Sequence, residues 1–170
     1  MVLSSNGTLS LLLRGSGARD DPQVFSSAAD GYTAAVTVAT PPGYSPYPDA
    51  GDFLDWVGPV HSRIDDDRRV FGLRIEERHR NRAGAAQGGL LATLVDFALG
   101  RAVQADDDDG RSPTTVSLTT DFLGAVHVGD WVEARTRVER VGGILAFADC
   151  SLSVDGNERV RARGVFSLPG

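Results

Sequence analysis

Lysine is absent from this sequence of 170 residues, and all 17 basic residues are arginine. Schiff-base catalysis and a Walker-type phosphate loop each need a lysine amine, so both are excluded. The single cysteine, Cys150, can close no internal disulfide and build no thiolate zinc site. His61, His79 and His127 are too scattered to read as a ligand cluster. No apolar run approaches the roughly 18 residues of a membrane span. The opening residues 1–19 contain Leu11, Leu12 and Leu13 but lack a basic start and the roughly 7- to 15-residue apolar stretch of a signal peptide, which predicts a cytoplasmic location. A net charge of −6 argues against nucleic acid or an anionic membrane as partner. The chemistry left to the chain is that of carboxylates, amides, hydroxyls and backbone N–H groups, with no metal and no cofactor expected.

With 41% apolar and 24% charged residues, the composition is that of one soluble globular domain. Residues 1–50, rich in Ser, Gly, Ala and Pro and ending in a run with Pro41, Pro42, Pro46 and Pro48, read as an N-terminal arm or linker. A few β-branched residues at 31–40 leave a strand there open. Residues 51–170 carry the folded domain. A short helix is expected at 52–57, capped by Asp52, with Phe53, Leu54, Trp56 and Val57 plugging one end of the core. Residues 60–64 and 69–79 read as a hairpin turned at Asp65, Asp66 and Asp67. From Gly88 to about Gln104 the period changes to that of a helix that is apolar nearly all round, so the rest of the chain must enclose it. Four strands follow. Residues 114–122 alternate Val116, Leu118 and Phe122 with Thr115, Ser117 and Thr119; 131–141 and 144–154 are joined by Gly142 and Gly143 as a two-residue turn of positive φ; and 160–168 turn Val160, Ala162, Phe166 and Leu168 inward. The fold class is α+β: a curved antiparallel sheet of five or six strands wrapped around one long central helix.

That helix carries one line of small or polar residues, Gly89, Thr93, Asp96 and Gly100, at spacings of four, three and four. A carboxylate among Leu94, Val95, Phe97 and Ala98 is costly unless it is paired or faces a cleft, so Asp96 is either a structural residue or a catalytic carboxylate. Gly88 and Gly89 open the helix. There the free first-turn N–H groups and the helix dipole suit an oxygen that becomes negative, as in an oxyanion hole. Together with Asp96 two turns further on, the pair suggests acyl transfer to water.

The run from Asn81 to Asp96, NRAGAAQGGLLATLVD, resembles the signature of hotdog-fold acyl-CoA thioesterases of the phenylacetate-pathway (PaaI-like) group, and the likeness extends over about residues 43–168. The resemblance implies a hydrolase acting on an acyl-CoA substrate. It implies that Asp96 acts as nucleophile or as general base, that Gly88 and Gly89 hold the thioester oxygen, and that Asn81 helps position the thioester or water. Thr115 would orient that water. It further implies a homodimer or homotetramer with sites at the subunit interface, where Asn81 and Gln87 of one subunit face Asp96 of the other. Gln87 stands where the family usually has histidine; its amide can donate a hydrogen bond but cannot shuttle a proton. A non-catalytic hotdog protein that binds acyl-CoA or a related ligand is the alternative, and an oligomeric structural module a third.

Other features read as structural. Arg135, Arg137, Arg159, Arg161 and Arg163 face outward and either hold CoA phosphates or form cross-strand pairs with Glu133, Glu139 and Asp149, the pairs being the expectation. Residues 106–109 are expected to be a solvated acidic loop, and His79 and Cys150 to be structural.

Overall fold

The computed structural model describes residues 39–48 and 50–169; the strand left open at 31–40 and most of the arm lie outside them. A compact unit runs over Thr40–Gly170, starting before the boundary drawn at residue 51. Its elements, in chain order, are β1 (Ser45–Pro46), α1 (Asp52–Val57), β2 (Val60–Asp65), β3 (Arg68–Arg74), a 3-10 turn (Glu77–His79), α2 (Gly88–Asp106), β4 (Thr114–Phe122), β5 (Trp131–Val141), β6 (Leu145–Val154) and β7 (Asn157–Ser167). They form one sheet in the order β1-β2-β3-β5-β6-β7-β4, antiparallel between the paired strands and packed on α2. This is the hotdog arrangement. Seven strands stand where five or six were expected, the extra one being β1, which pairs Ser45 with Ser62 and Pro46 with His61.

The core is the contact between α2 and the inner face of the sheet. Leu91, Leu94, Val95, Ala98, Leu99 and Val103 of α2 are buried against Phe71, Leu73, Val132, Ala134, Ala148, Leu152, Val160 and Phe166. Val160, Ala162, Phe166 and Leu168 do turn inward. Cys150 fills the core beside them, and burial pushes its thiol up to about 12, so it stays protonated. From Tyr44 to Tyr47 the chain clasps the β2 edge. The Tyr44 ring meets Trp131 edge-on and its hydroxyl donates to Glu133 at 2.7 Å, while Tyr47 meets Phe71 and Phe97.

The turns differ from expectation. Positive φ falls at Asp66 and Asp67, which turn the β2–β3 hairpin, and at Asp155 and Gly156, which turn β6 into β7; Gly142 and Gly143 have none. Their loop is three residues long, and Gly142 is there because a Cβ would come within 2.9 Å of the Leu145 carbonyl oxygen. The second strand of the β2–β3 hairpin ends at Arg74 rather than 79. Gly51, not Asp52, occupies the cap position of α1, and only Leu54 and Val57 plug the core. In the acidic loop Asp107 is buried instead of solvated, because Arg111 makes a two-pronged ion pair with it and then reaches the Gly143 carbonyl. That guanidinium holds the Asp107 carboxyl below its usual range.

His79 is structural as expected. Its Nδ1 accepts from the Glu76 N–H at 3.0 Å, which leaves Nε2 protonated to donate to the Val57 carbonyl at 2.8 Å; its own carbonyl accepts from Gln87 N–H at 2.8 Å. Through its ring and its carbonyl, this one buried residue thereby ties the end of α1 to the start of α2.

Two outcomes follow from this packing. Leu94→Ala deletes a fully buried side chain and is expected to cost about 2–5 kcal/mol in urea unfolding. Burial holds the His79 pKa below its ordinary 6.5, with Arg78 adding to that effect and Glu76 opposing it. The unfolded chain therefore binds this proton first. Stability is complete above pH 6.5, falls as the pH drops through that value, and levels off below the folded pKa. Melting temperatures between pH 7.5 and 5.5 should fall in the wild type and less steeply in His79→Gln; equal slopes would rule His79 out as the source.

Candidate active site

Enclosing α2 leaves one side of it uncovered, and that side is the line Gly89, Thr93, Asp96, Gly100. None of the four is buried, whereas the helix residues facing the sheet are. Asp96 is half-buried and has a partner: the Thr115 hydroxyl donates to its Oδ1 at 2.7 Å. Simple alternation along β4 would have pointed Val116 at the helix and Thr115 away from it. A bulge between Thr115 and Ser117 changes the register, so that Thr115 pairs with the inward-facing Phe166 while Leu118 still pairs with Gly164. The displaced Val116 is 61% exposed. The irregularity thus aims the hydroxyl at the carboxylate.

At the start of α2, Gln87 holds the cap position with no side-chain hydrogen bond to the helix, and its side chain is exposed. The first N–H groups of a helix have no intrahelical carbonyl to reach. At Gly88 a Cβ would crowd the Phe122 ring at 3.3 Å, so an alanine there needs the ring to shift. At Gly89 a Cβ would meet nothing within 4 Å. A glycine costs a helix roughly 0.5–1 kcal/mol relative to alanine, and nothing in this chain's own packing accounts for it.

Asn81 spends its side chain on the loop before α2. Its Oδ1 accepts from Ala83 and Ala85 N–H at 2.8 and 3.2 Å, and Nδ2 donates to the Ala86 carbonyl at 3.3 Å. It shapes the approach to Gln87, a role its place in the motif did not reveal.

The six candidates fall into two groups. Asn81, Gln87 and Gly89 line a cavity of about 780 Å³ beside α1, with Phe53, Trp56, Leu90 and three arginines. Gly88 adjoins it. Asp96 and Thr115 line a separate cavity of about 300 Å³ with Gly100, Arg101 and Gln104. Seven residues of helix separate Gly89 from Asp96, about 10 Å along the axis. The outward sheet arginines belong to neither cavity. Arg163 pairs with Asp149, Arg135 with Asp65, Arg137 with Glu139 and Arg161 with Glu158. Among the described residues no helix is long and apolar enough to cross a membrane.

Comparison with known proteins agrees with this architecture. A profile described as Thioesterase superfamily matches residues 83–160. A Pseudomonas aeruginosa protein that carries an esterase name is 42% identical over 130 residues, covering 76% of this chain and 97% of its own. Acyl-coenzyme A thioesterase 13 of Mus musculus is 26% identical over 98 residues, covering 58% of this chain and 69% of its own. Among solved structures, zebrafish thioesterase superfamily member 2 superposes with a TM-score of 0.57 at 28% identity, over 59% of this chain and 74% of that one. A Bacillus halodurans protein solved with CoA superposes at 0.65 and 22% identity, over 71% and 80%. By its sequence and its hotdog architecture, the chain belongs to the thioesterase superfamily.

Proposed function

We propose that the protein is an acyl-CoA thioesterase that hydrolyses an acyl or aryl-acyl thioester to the free acid and CoA. The observation that carries this is the half-buried Asp96 carboxylate, aimed by the Thr115 hydroxyl and set on the same open side of α2 as the bare Gly89 amide. Gly88 and Gly89 N–H groups receive the carbonyl oxygen as it becomes negative. Asp96 either takes a proton from the attacking water or attacks the carbonyl carbon itself, forming an acyl anhydride that water then hydrolyses to the free acid and the restored carboxylate. In both routes the C–S bond breaks and the thiolate departs with little need of an acid, so Gln87 serves as a hydrogen-bond donor where the family usually has histidine.

Geometry asks for a second copy. An attacking oxygen must come within about 3.5 Å of the carbonyl carbon whose oxygen the amides hold, yet about 10 Å of helix separates the two groups in one chain. A homo-oligomer that sets the helix start of one subunit against Asp96 of another closes that gap. β4 supports this assembly: among the described residues it pairs with β7 alone, and it carries exposed Val116 and Phe122.

A thiol-release assay over short, medium, long and aryl acyl-CoA esters tests the reading. Turnover of at least one ester is expected, with Asp96→Asn lowering kcat by about 10²- to 10⁴-fold and Thr115→Ala by less. No turnover across the panel, or an undiminished rate in Asp96→Asn, would overturn the catalytic assignment. CoA esters that raise the melting temperature without being hydrolysed would favour a non-catalytic binding protein.

A further inference from the structure

An acyl-CoA thioester is apolar at one end and strongly anionic at the other, while this protein has a net charge of −6. A repulsive average field must be overcome locally where such a substrate docks. Arg135 and Arg137 of β5 and Arg161 and Arg163 of β7 do not supply that patch, because they stand in ion pairs with the acids beside them. The loop leading into α2 does. Arg78, Arg80 and Arg82 all line the 780 Å³ cavity that Gln87 and Gly89 open onto. Arg78 is held by Glu76 and by the Gly58 carbonyl. Arg80 has only a loose, solvent-exposed contact with Glu77 at 3.4 Å, and Arg82 has no ion-pair or hydrogen-bond partner among the described residues.

The opposite wall is aromatic. α1 buries Leu54 and Val57 and leaves Phe53 59% and Trp56 75% exposed, their ring centroids 6.4 Å apart. The two walls are fixed to one another, since Arg78 and His79 bond the Gly58 and Val57 carbonyls at the end of α1. Guanidinium forks suit phosphate oxygens, and an exposed indole suits a stacked base. Resting on the acyl-CoA reading above, we infer that this cavity seats the nucleotide end of CoA, with Arg80 and Arg82 on its phosphates and Trp56 stacked on the adenine. The same subunit then anchors the nucleotide and holds the thioester oxygen, and the acyl group extends toward the Asp96 cavity of the second subunit.

The test compares one acyl group on two carriers, CoA and N-acetylcysteamine, the second having neither phosphates nor adenine. In the Arg80→Ala/Arg82→Ala variant the ratio of kcat/KM for the CoA ester to that for the N-acetylcysteamine ester is expected to fall about tenfold or more, mostly through KM and less at high salt. Trp56→Ala should lower the same ratio and Trp56→Phe restore much of it, while Arg135→Ala, on the outer sheet face, leaves it as in the wild type. Equal losses on both carriers would overturn the assignment, as would a Trp56→Ala variant that changes acyl preference among N-acetylcysteamine esters, which would place the acyl group here. Calorimetric titration with desulfo-CoA separates this inference from the hydrolase reading. Binding that the double arginine variant weakens supports the nucleotide seat even if no ester is hydrolysed. Absent binding to the wild type, or binding that the variant leaves unchanged, overturns it.

Discussion

Everything in this fold follows from a helix too apolar to meet water. Leu91, Leu94, Val95, Ala98, Leu99 and Val103 cover about half of the circumference of α2, so the sheet has to curl around it. A sheet can enclose a cylinder on only part of its circumference, and the uncovered strip is where glycine, threonine and aspartate replace leucine and valine. The candidate site is therefore what packing leaves over, a polar line laid along the one side of the helix that the core does not claim. The hydrogen bond from Thr115 to Asp96 spans the border between the two, from the edge strand of the wrapping to the open side of the wrapped helix.

The sequence made that logic legible because periodicity reports which face is buried. The length of α2, the four strands after it and the inward set of β7 all come from alternation or from a 3.6-residue period, and the structure reproduces them. Features that depend on a single register or on a distant neighbour were hidden. The bulge in β4 reverses the alternation on which Thr115 was read as facing outward, although the family resemblance had singled that residue out. Positive φ falls at Asp66, Asp67 and Asp155, residues that tolerate the left-handed region when a hairpin twist demands it, and not at the Gly142-Gly143 pair that advertises it. Asp107 sits in a run of four aspartates and is told apart only by Arg111. Asn81 belongs to the motif, and its engagement with three backbone groups of one loop emerges only in three dimensions.

Gly89 is a residue whose cost the isolated chain does not repay. Gly88 has a steric reason in the Phe122 ring, and Gly142 has one in the Leu145 carbonyl. Gly89 lies in a helix with open space around its Cα, where alanine would fit and strengthen the first turn. A position like that is explained by something that approaches the backbone from outside, a thioester oxygen in the proposed site. The open β4 edge makes the same point at the level of the whole surface. Both features are incomplete on one chain and compatible with a second.

The distribution of arginine completes the picture. On the outer face of the sheet, guanidinium groups alternate with carboxylates and hold them below their usual range, as Arg163 does for Asp149 and Arg135 for Asp65. Those pairs are local and exposed, and each adds little to stability. In the loop before α2 the same residue type outnumbers its acids: Glu76 and Glu77 face Arg78, Arg80 and Arg82. The excess lies beside two exposed aromatic rings and the helix start whose dipole is itself positive. In a protein that is acidic overall, this cavity thus carries a local excess of positive charge, and the polarity of the proposed substrate decides which end of it enters there.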